Sequence, residues 1–140
     1  MKRKRKGFTL VEILVVIVII TMLATLITPN IFRQFGKAKV GLAQTGISLI
    51  ETAMSEFYMD CNRFPNQADG GLDALLIAPP DLIDFWDGPY VREKELYDPW
   101  GYPLMYQFPS AISESPFDIF SYGADGQPGG EGPNADIYNT

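Results

Sequence analysis

Residues 8–28 hold a single charged side chain, Glu12, and five consecutive basic residues, Lys2 to Lys6, stand just before them. As a helix, these 21 residues extend about 31 Å, enough to cross a hydrocarbon core of about 30 Å. The basic cluster predicts a cytoplasmic N-terminus, which sends the rest of the chain outward. A cleaved secretory signal is the competing reading, but it asks for a shorter apolar core and a small-x-small site. Here Met22 would stand two places before Ala24, and the apolar pattern runs on without a break. A retained anchor is therefore expected.

Glu12 is the anomaly of this segment. A carboxylate in a membrane helix costs several kcal/mol on most scales, so it asks for a function. One reading has Glu12 near the membrane edge, reaching water. The other has it waiting for a partner. A cut between Gly7 and Phe8 would create an amino group one helical turn from Glu12, and in an assembly that amine could neutralise the Glu12 of a neighbour. The acid would then favour the polymer, where it is satisfied.

Beyond the anchor, Pro29 predicts a helix break near 27–30, because proline lacks a donor and crowds the preceding turn. Ile31, Phe35, Ala38, Leu42, Thr45, Leu49, Ala53 and Phe57 follow at helical spacing, widened by Phe32, Ile50, Met54 and Tyr58. One helix over about 9–59 is expected, with its second half packed under a globular domain. Gly36, Gly41 and Gly46 each cost about 1 kcal/mol relative to Ala in a helix. They either permit close helix approach or make the helix bendable.

Residues 61–82 are rich in turn formers, with a short helix expected at about 71–77. Pro99, Gly101 and Pro103 impose a tight loop, and Trp100 offers an apolar anchor. Strands are expected at 104–108, at 117–123 by alternation, and at 135–138. The aromatic residues are assigned to core packing.

Charge and composition exclude several functions. Six basic residues against seventeen acids leave residues 8–140 at a formal −11, the wrong sign for nucleic acid. There is no His, which removes His-based triads and His–metal sites. Cys61 is the one cysteine, so no intramolecular disulfide or multi-Cys zinc site forms.

The stretch "GADGQPGGEGPNAD", residues 123–136, holds five Gly and two Pro with Asp125, Glu131, Asn134 and Asp136. Glycines let carbonyls turn inward and acids supply hard oxygens, the chemistry of Ca²⁺. The spacing is not that of an EF-hand. From the residues alone, a calcium loop and a plain solvated loop both stand.

Taken together these motifs resemble a known family. "KGFTLVE" is similar to the processing signal of type IV pilins and pseudopilins: basic leader, Gly at the cut, Phe next, and Glu fifth in the mature chain. "NRFP…GLDAL", "DPWGYP" and "FSYGADGQPGGEG…ADI" resemble the major pseudopilin of type II secretion systems, so that the likeness runs from Lys6 to Ile137. The resemblance implies an α+β pilin-like fold: a long N-terminal helix on a small domain with a short helix, a small antiparallel sheet and a calcium-type C-terminal loop. It implies a cleaved leader over 1–7, an assembly helix over 8–28, its amphipathic half over 29–59, and a periplasmic domain over 60–140. Gly7 would be the cleavage residue, Phe8 the methylated terminus and Glu12 the assembly acid. One Ca²⁺ would be held by Asp125 with carbonyls of Tyr122, Gln127 and Gly130. The second carboxylate of the family falls at or near Gly132, so Glu131 or Asp136 would substitute.

The implied function is structural: an inner-membrane subunit polymerised into a periplasmic pseudopilus that exports folded proteins, without catalysis. The implied partners are further copies of the chain, minor pseudopilins, the prepilin peptidase, and the inner-membrane platform with its ATPase. The second function is a type IV pilin for adhesion, motility or DNA uptake. A third, of another class, is a membrane-anchored calcium-dependent binding domain or hydrolase, for which Asp84/Asp87 or Asp118/Asp125 would be the paired carboxylates.

Overall fold

The computed structural model describes residues 7–139, and for residues 27–30 the backbone alone. A single helix, α1, runs over Leu10–Cys61. Asn62 ends it in a left-handed conformation, φ 56°, donating its N–H back to the Tyr58 carbonyl at 2.8 Å. The helical backbone continues through Pro29; the side chains around the expected break lie outside the described residues.

The chain divides into two compact units, residues up to 35 and residues from 36 onward. In the first, every large apolar side chain from Leu10 to Leu26 is exposed, and α1 is long and apolar enough there to cross a membrane. In the second, the rest of α1 lays one face on the domain: Ala43, Ile47, Ile50, Met54, Phe57 and Cys61 are buried at alternating steps of four and three. They meet Leu72, Leu75, Leu96, Leu104, Phe117, Ile119 and Ile137 in one core. At Gly36 a Cβ would come within 2.8 Å of the Pro133 ring, whereas nothing lies opposite Gly41 or Gly46. The first of the three glycines thus serves a close approach.

The stripe expected from sequence needs correction. Ala53 and Phe57 are buried, but Leu42 is 61 % and Leu49 54 % exposed, and Phe35 is exposed too. The domain selects the neighbouring row, because its loops reach α1 from that side. Ile50→Ala should therefore cost about 2–5 kcal/mol. Leu49→Ala should stay within about 0.5 kcal/mol. Denaturant unfolding of the two variants checks this assignment at adjacent positions.

The expected short helix is a 3-10 turn, Gly71–Leu75, bounded on its N-terminal side by Gly70 and Gly71, both at positive φ. Three short strands follow: β1 (Met105–Gln107), β2 (Asp118–Ser121) and β3 (Ile137–Tyr138). They form an antiparallel sheet in the order β1-β2-β3, with Tyr106 opposite Ile119 and Ser121 opposite Ile137. All three are shorter than expected. The central strand β2 is buried at all four positions instead of alternating. Phe117 and Ile119 enter the core beside α1. The ring of Phe120 packs on Tyr122 and Tyr138, and the 110–113 loop encloses Asp118. Both faces of the strand are covered, which removes the polar-out half of the pattern.

Candidate functional site

The candidate residues fall in two regions, one in each unit. In the first, Gly7 and Phe8 precede α1 in irregular, exposed backbone, and Phe8 is 82 % exposed. This is an accessible peptide bond. Thr9 is the N-cap of the helix. Its N–H and its Oγ1 hydroxyl both donate to Glu12 Oε2, at 2.8 and 3.0 Å, and the Glu12 N–H donates to Thr9 Oγ1 at 3.2 Å. These bonds form a reciprocal capping box, T-x-x-E, which satisfies donors that a helix start leaves free. The positive end of the helix dipole favours the carboxylate there as well.

Glu12 is thus not the unpaired acid that its surroundings in the sequence suggest. One of its oxygens is committed locally, while Oε1 accepts no bond among the described residues. The spacing in "FTLVE" carries the signal for the box, and reading the acid only against lipid misses it.

The second region is the Gly-rich loop. Two 3-10 turns, Gly123–Asp125 and Gly132–Asn134, form its arms. The arms meet at Gly123, φ 71°, where a Cβ would come within 2.8 Å of the Pro133 and Ala135 carbonyl oxygens. Asp136 closes the tip: both its carboxylate oxygens accept the Gly129 N–H at 3.0 Å. Asp125 is exposed, and its Oδ1 accepts the Gln127 N–H at 3.2 Å. Gln127, Gly130 and Glu131 are exposed, and Tyr122 is half-buried against Phe120.

Among the described residues no three acidic or cysteine side chains come together as a preassembled metal cluster. Along its sequence the loop carries the carboxylates of Asp125, Glu131 and Asp136, and its other oxygens are backbone carbonyls and the side-chain amides of Gln127 and Asn134. That donor set is oxygen-only and suits a hard cation.

The carboxylate pairs considered for hydrolysis separate in role. Asp118 is fully buried and engaged by Ser110, Ala111, Ile112 and Ser113, while Asp84 and Asp87 are exposed. Two further buried polar residues, Asp98 and Ser121, bond to each other at 2.6 Å across 23 positions, for which no local signal exists.

Comparison with known proteins gives consistent matches. The family profile described as type II secretion system (T2SS), protein G, matches residues 30–140, and that for the prokaryotic N-terminal methylation motif matches residues 2–28. The chain is 40 % identical to the type II secretion system core protein G of Vibrio cholerae over 139 residues, covering 98 % of this chain and 92 % of that protein. It is 37 % identical to the core protein G of Pseudomonas aeruginosa over 141 residues, covering 99 % and 96 %. Among solved structures it resembles the major pseudopilin from the type 2 secretion system of enterohaemorrhagic Escherichia coli. That match has a TM-score of 0.61 at 31 % identity, covering 81 % of this chain and 96 % of that one.

Proposed function

The chain belongs to the type II secretion system protein G family, and we propose that it works by adding copies of itself to a periplasmic fibre through its processed N-terminus. It is a structural subunit of the type II secretion pseudopilus and not an enzyme. Its N-terminal helix anchors it in the inner membrane, and its globular domain lies in the periplasm.

The observation that carries the proposed mechanism is the half-satisfied carboxylate of Glu12. A prepilin peptidase cuts between Gly7 and Phe8 and methylates the new terminus. The Phe8 amine of an incoming copy then pairs with Oε1 of Glu12 in a neighbour. In the low dielectric of lipid or fibre core this charge pair replaces a lone buried charge, so it favours the assembled state. The apolar surface of residues 8–26, with exposed Leu42 and Leu49 further along α1, is available to neighbouring copies. Minor pseudopilins, the inner-membrane platform and its ATPase are the partners for initiation and growth, and growth pushes folded exoproteins through the outer membrane. Mass spectrometry of the membrane-extracted subunit tests the processing step. The expected chain starts at Phe8 and is one methyl group heavier than its sequence; a chain starting at Met1, or cut elsewhere, removes the basis of the mechanism.

We assign one Ca²⁺ to the Gly-rich loop, held by the Asp125 carboxylate with Asp136 or Glu131 and by carbonyls of Tyr122, Gln127 and Gly130. Bound there, the ion supplies charge neutralisation and order to a segment with little apolar content of its own. At one hundred times its dissociation constant, such an ion adds about 2.7 kcal/mol of stability. The expected result is a melting temperature that rises with Ca²⁺, and an Asp125→Ala chain that no longer responds. A response unchanged in that variant moves the ion elsewhere.

A further inference from the structure

The turn-forming motif "DPWGYP" spans residues 98–103. Asp98, its first residue, is buried and uses both carboxylate oxygens. Oδ1 accepts the N–H groups of Trp100 and Tyr102 at 3.0 and 2.9 Å, which closes the turn. Oδ2 accepts the Ser121 hydroxyl at 2.6 Å. A hydroxyl has one proton, and Asp98 takes it, so the rotor of Ser121 is fixed with its lone pairs directed elsewhere. There the Gly123 N–H donates to Ser121 Oγ at 3.1 Å. Gly123 is the point where the two arms of the Gly-rich loop meet. The same turn makes a second contact with the loop. A Cβ on Gly126 would come within 2.7 Å of the Tyr102 ring, so that ring lies directly against the backbone of Gly126.

The anchored residues Gly123 and Gly126 bracket Asp125. We infer that Asp98 and Ser121 are positioning residues of the Gly-rich loop: they set the backbone on both sides of Asp125 without touching the cation. The buried carboxylate therefore serves a loop 25 residues away along the chain, counting from Asp98 to Gly123. The inference rests on the calcium reading for one of its two consequences only.

The test uses the full processed chain in detergent, with Ser121→Ala as the main variant, because it leaves the Trp100 and Tyr102 bonds of Asp98 intact. Asp98→Asn is the second variant. The first measurement is amide hydrogen exchange in chelator, where no ion contributes. In Ser121→Ala the amides of Gly123 to Gln127 should exchange about tenfold faster, the size of one lost net hydrogen bond, while the core amides of β2 and α1 keep their rates. Unchanged loop exchange overturns the inference. The second measurement is Ca²⁺ titration. Ser121→Ala should bind the ion about tenfold more weakly, although Ser121 is no ligand. A loosened loop with undiminished Ca²⁺ affinity also overturns the inference. If the parent chain binds no Ca²⁺ while the loop loosens as expected, the calcium reading fails and the positioning role of Asp98 and Ser121 stands.

Discussion

Glu12→Gln is expected to leave the subunit processed and inserted in the membrane but unable to form fibres. Gln retains the size of the side chain and an oxygen for the Thr9 bonds, so the helix start survives. What is lost is the negative charge that, in the proposed mechanism, meets the incoming Phe8 amine. Removing one partner of a buried charge pair costs about 3–5 kcal/mol, which weakens each subunit addition by at least about a hundredfold. The measurement is the ratio of fibre-incorporated to membrane subunit. Thr9→Ala separates the cap from the charge: losing an N-cap costs about 1 kcal/mol, so fibres should be reduced and still present. Parental fibre levels in Glu12→Gln would remove the charge pair from the mechanism.

The second large effect concerns stability. Asp118 is completely buried and accepts from Ser110 Oγ at 2.8 Å and from the N–H groups of Ala111, Ile112 and Ser113 at 2.7, 3.0 and 2.9 Å. Asp118→Ala strands these donors, although the exposed ones regain water. The expected loss is about 2–4 kcal/mol out of a domain stability of about 5–15 kcal/mol.

The same carboxylate predicts a pH dependence. Burial alone would push its pKa up, but the bonds from Ser113, Ala111 and Ser110 outweigh burial and hold it well below the usual carboxylate range. The folded state therefore binds the proton less readily than the unfolded chain. The contribution is fully present above the unfolded value of about 3.9 and is lost as pH falls below it toward the folded value. Urea unfolding at neutral pH and at acid pH should show the parent losing stability on acidification, with Asp118→Ala losing less. A variant within about 0.5 kcal/mol of the parent at neutral pH would contradict this role.

The parts of the molecule legible in sequence are those fixed by neighbours along the chain. The basic leader, the apolar run, Gly7, Phe8 and Glu12 lie within one short stretch, and the Asp98 turn is written in its own prolines and glycine. The capping box was equally legible in the Thr9-to-Glu12 spacing.

Choices made by tertiary packing were not legible. Leu42 and Leu49 have stronger apolar credentials than Ala43 and Cys61, yet the domain covers the latter row. Periodicity alone cannot distinguish two adjacent rows on a helix apolar on both. The alternation expected across 117–123 failed because β2 has cover on each face, supplied in part by the 110–113 loop. The Ser121–Asp98 bond joins segments with no local reason to meet.

Building a fibre for secretion is the role of this subunit. It is tested most directly in a strain that lacks the gene, by comparing culture-medium proteins, periplasmic proteins and surface filaments with the parent. Exported enzymes should remain trapped in the periplasm while surface pili persist, and the parent gene should restore export where the Glu12→Gln gene does not. Intact secretion together with loss of surface pili would contradict that role.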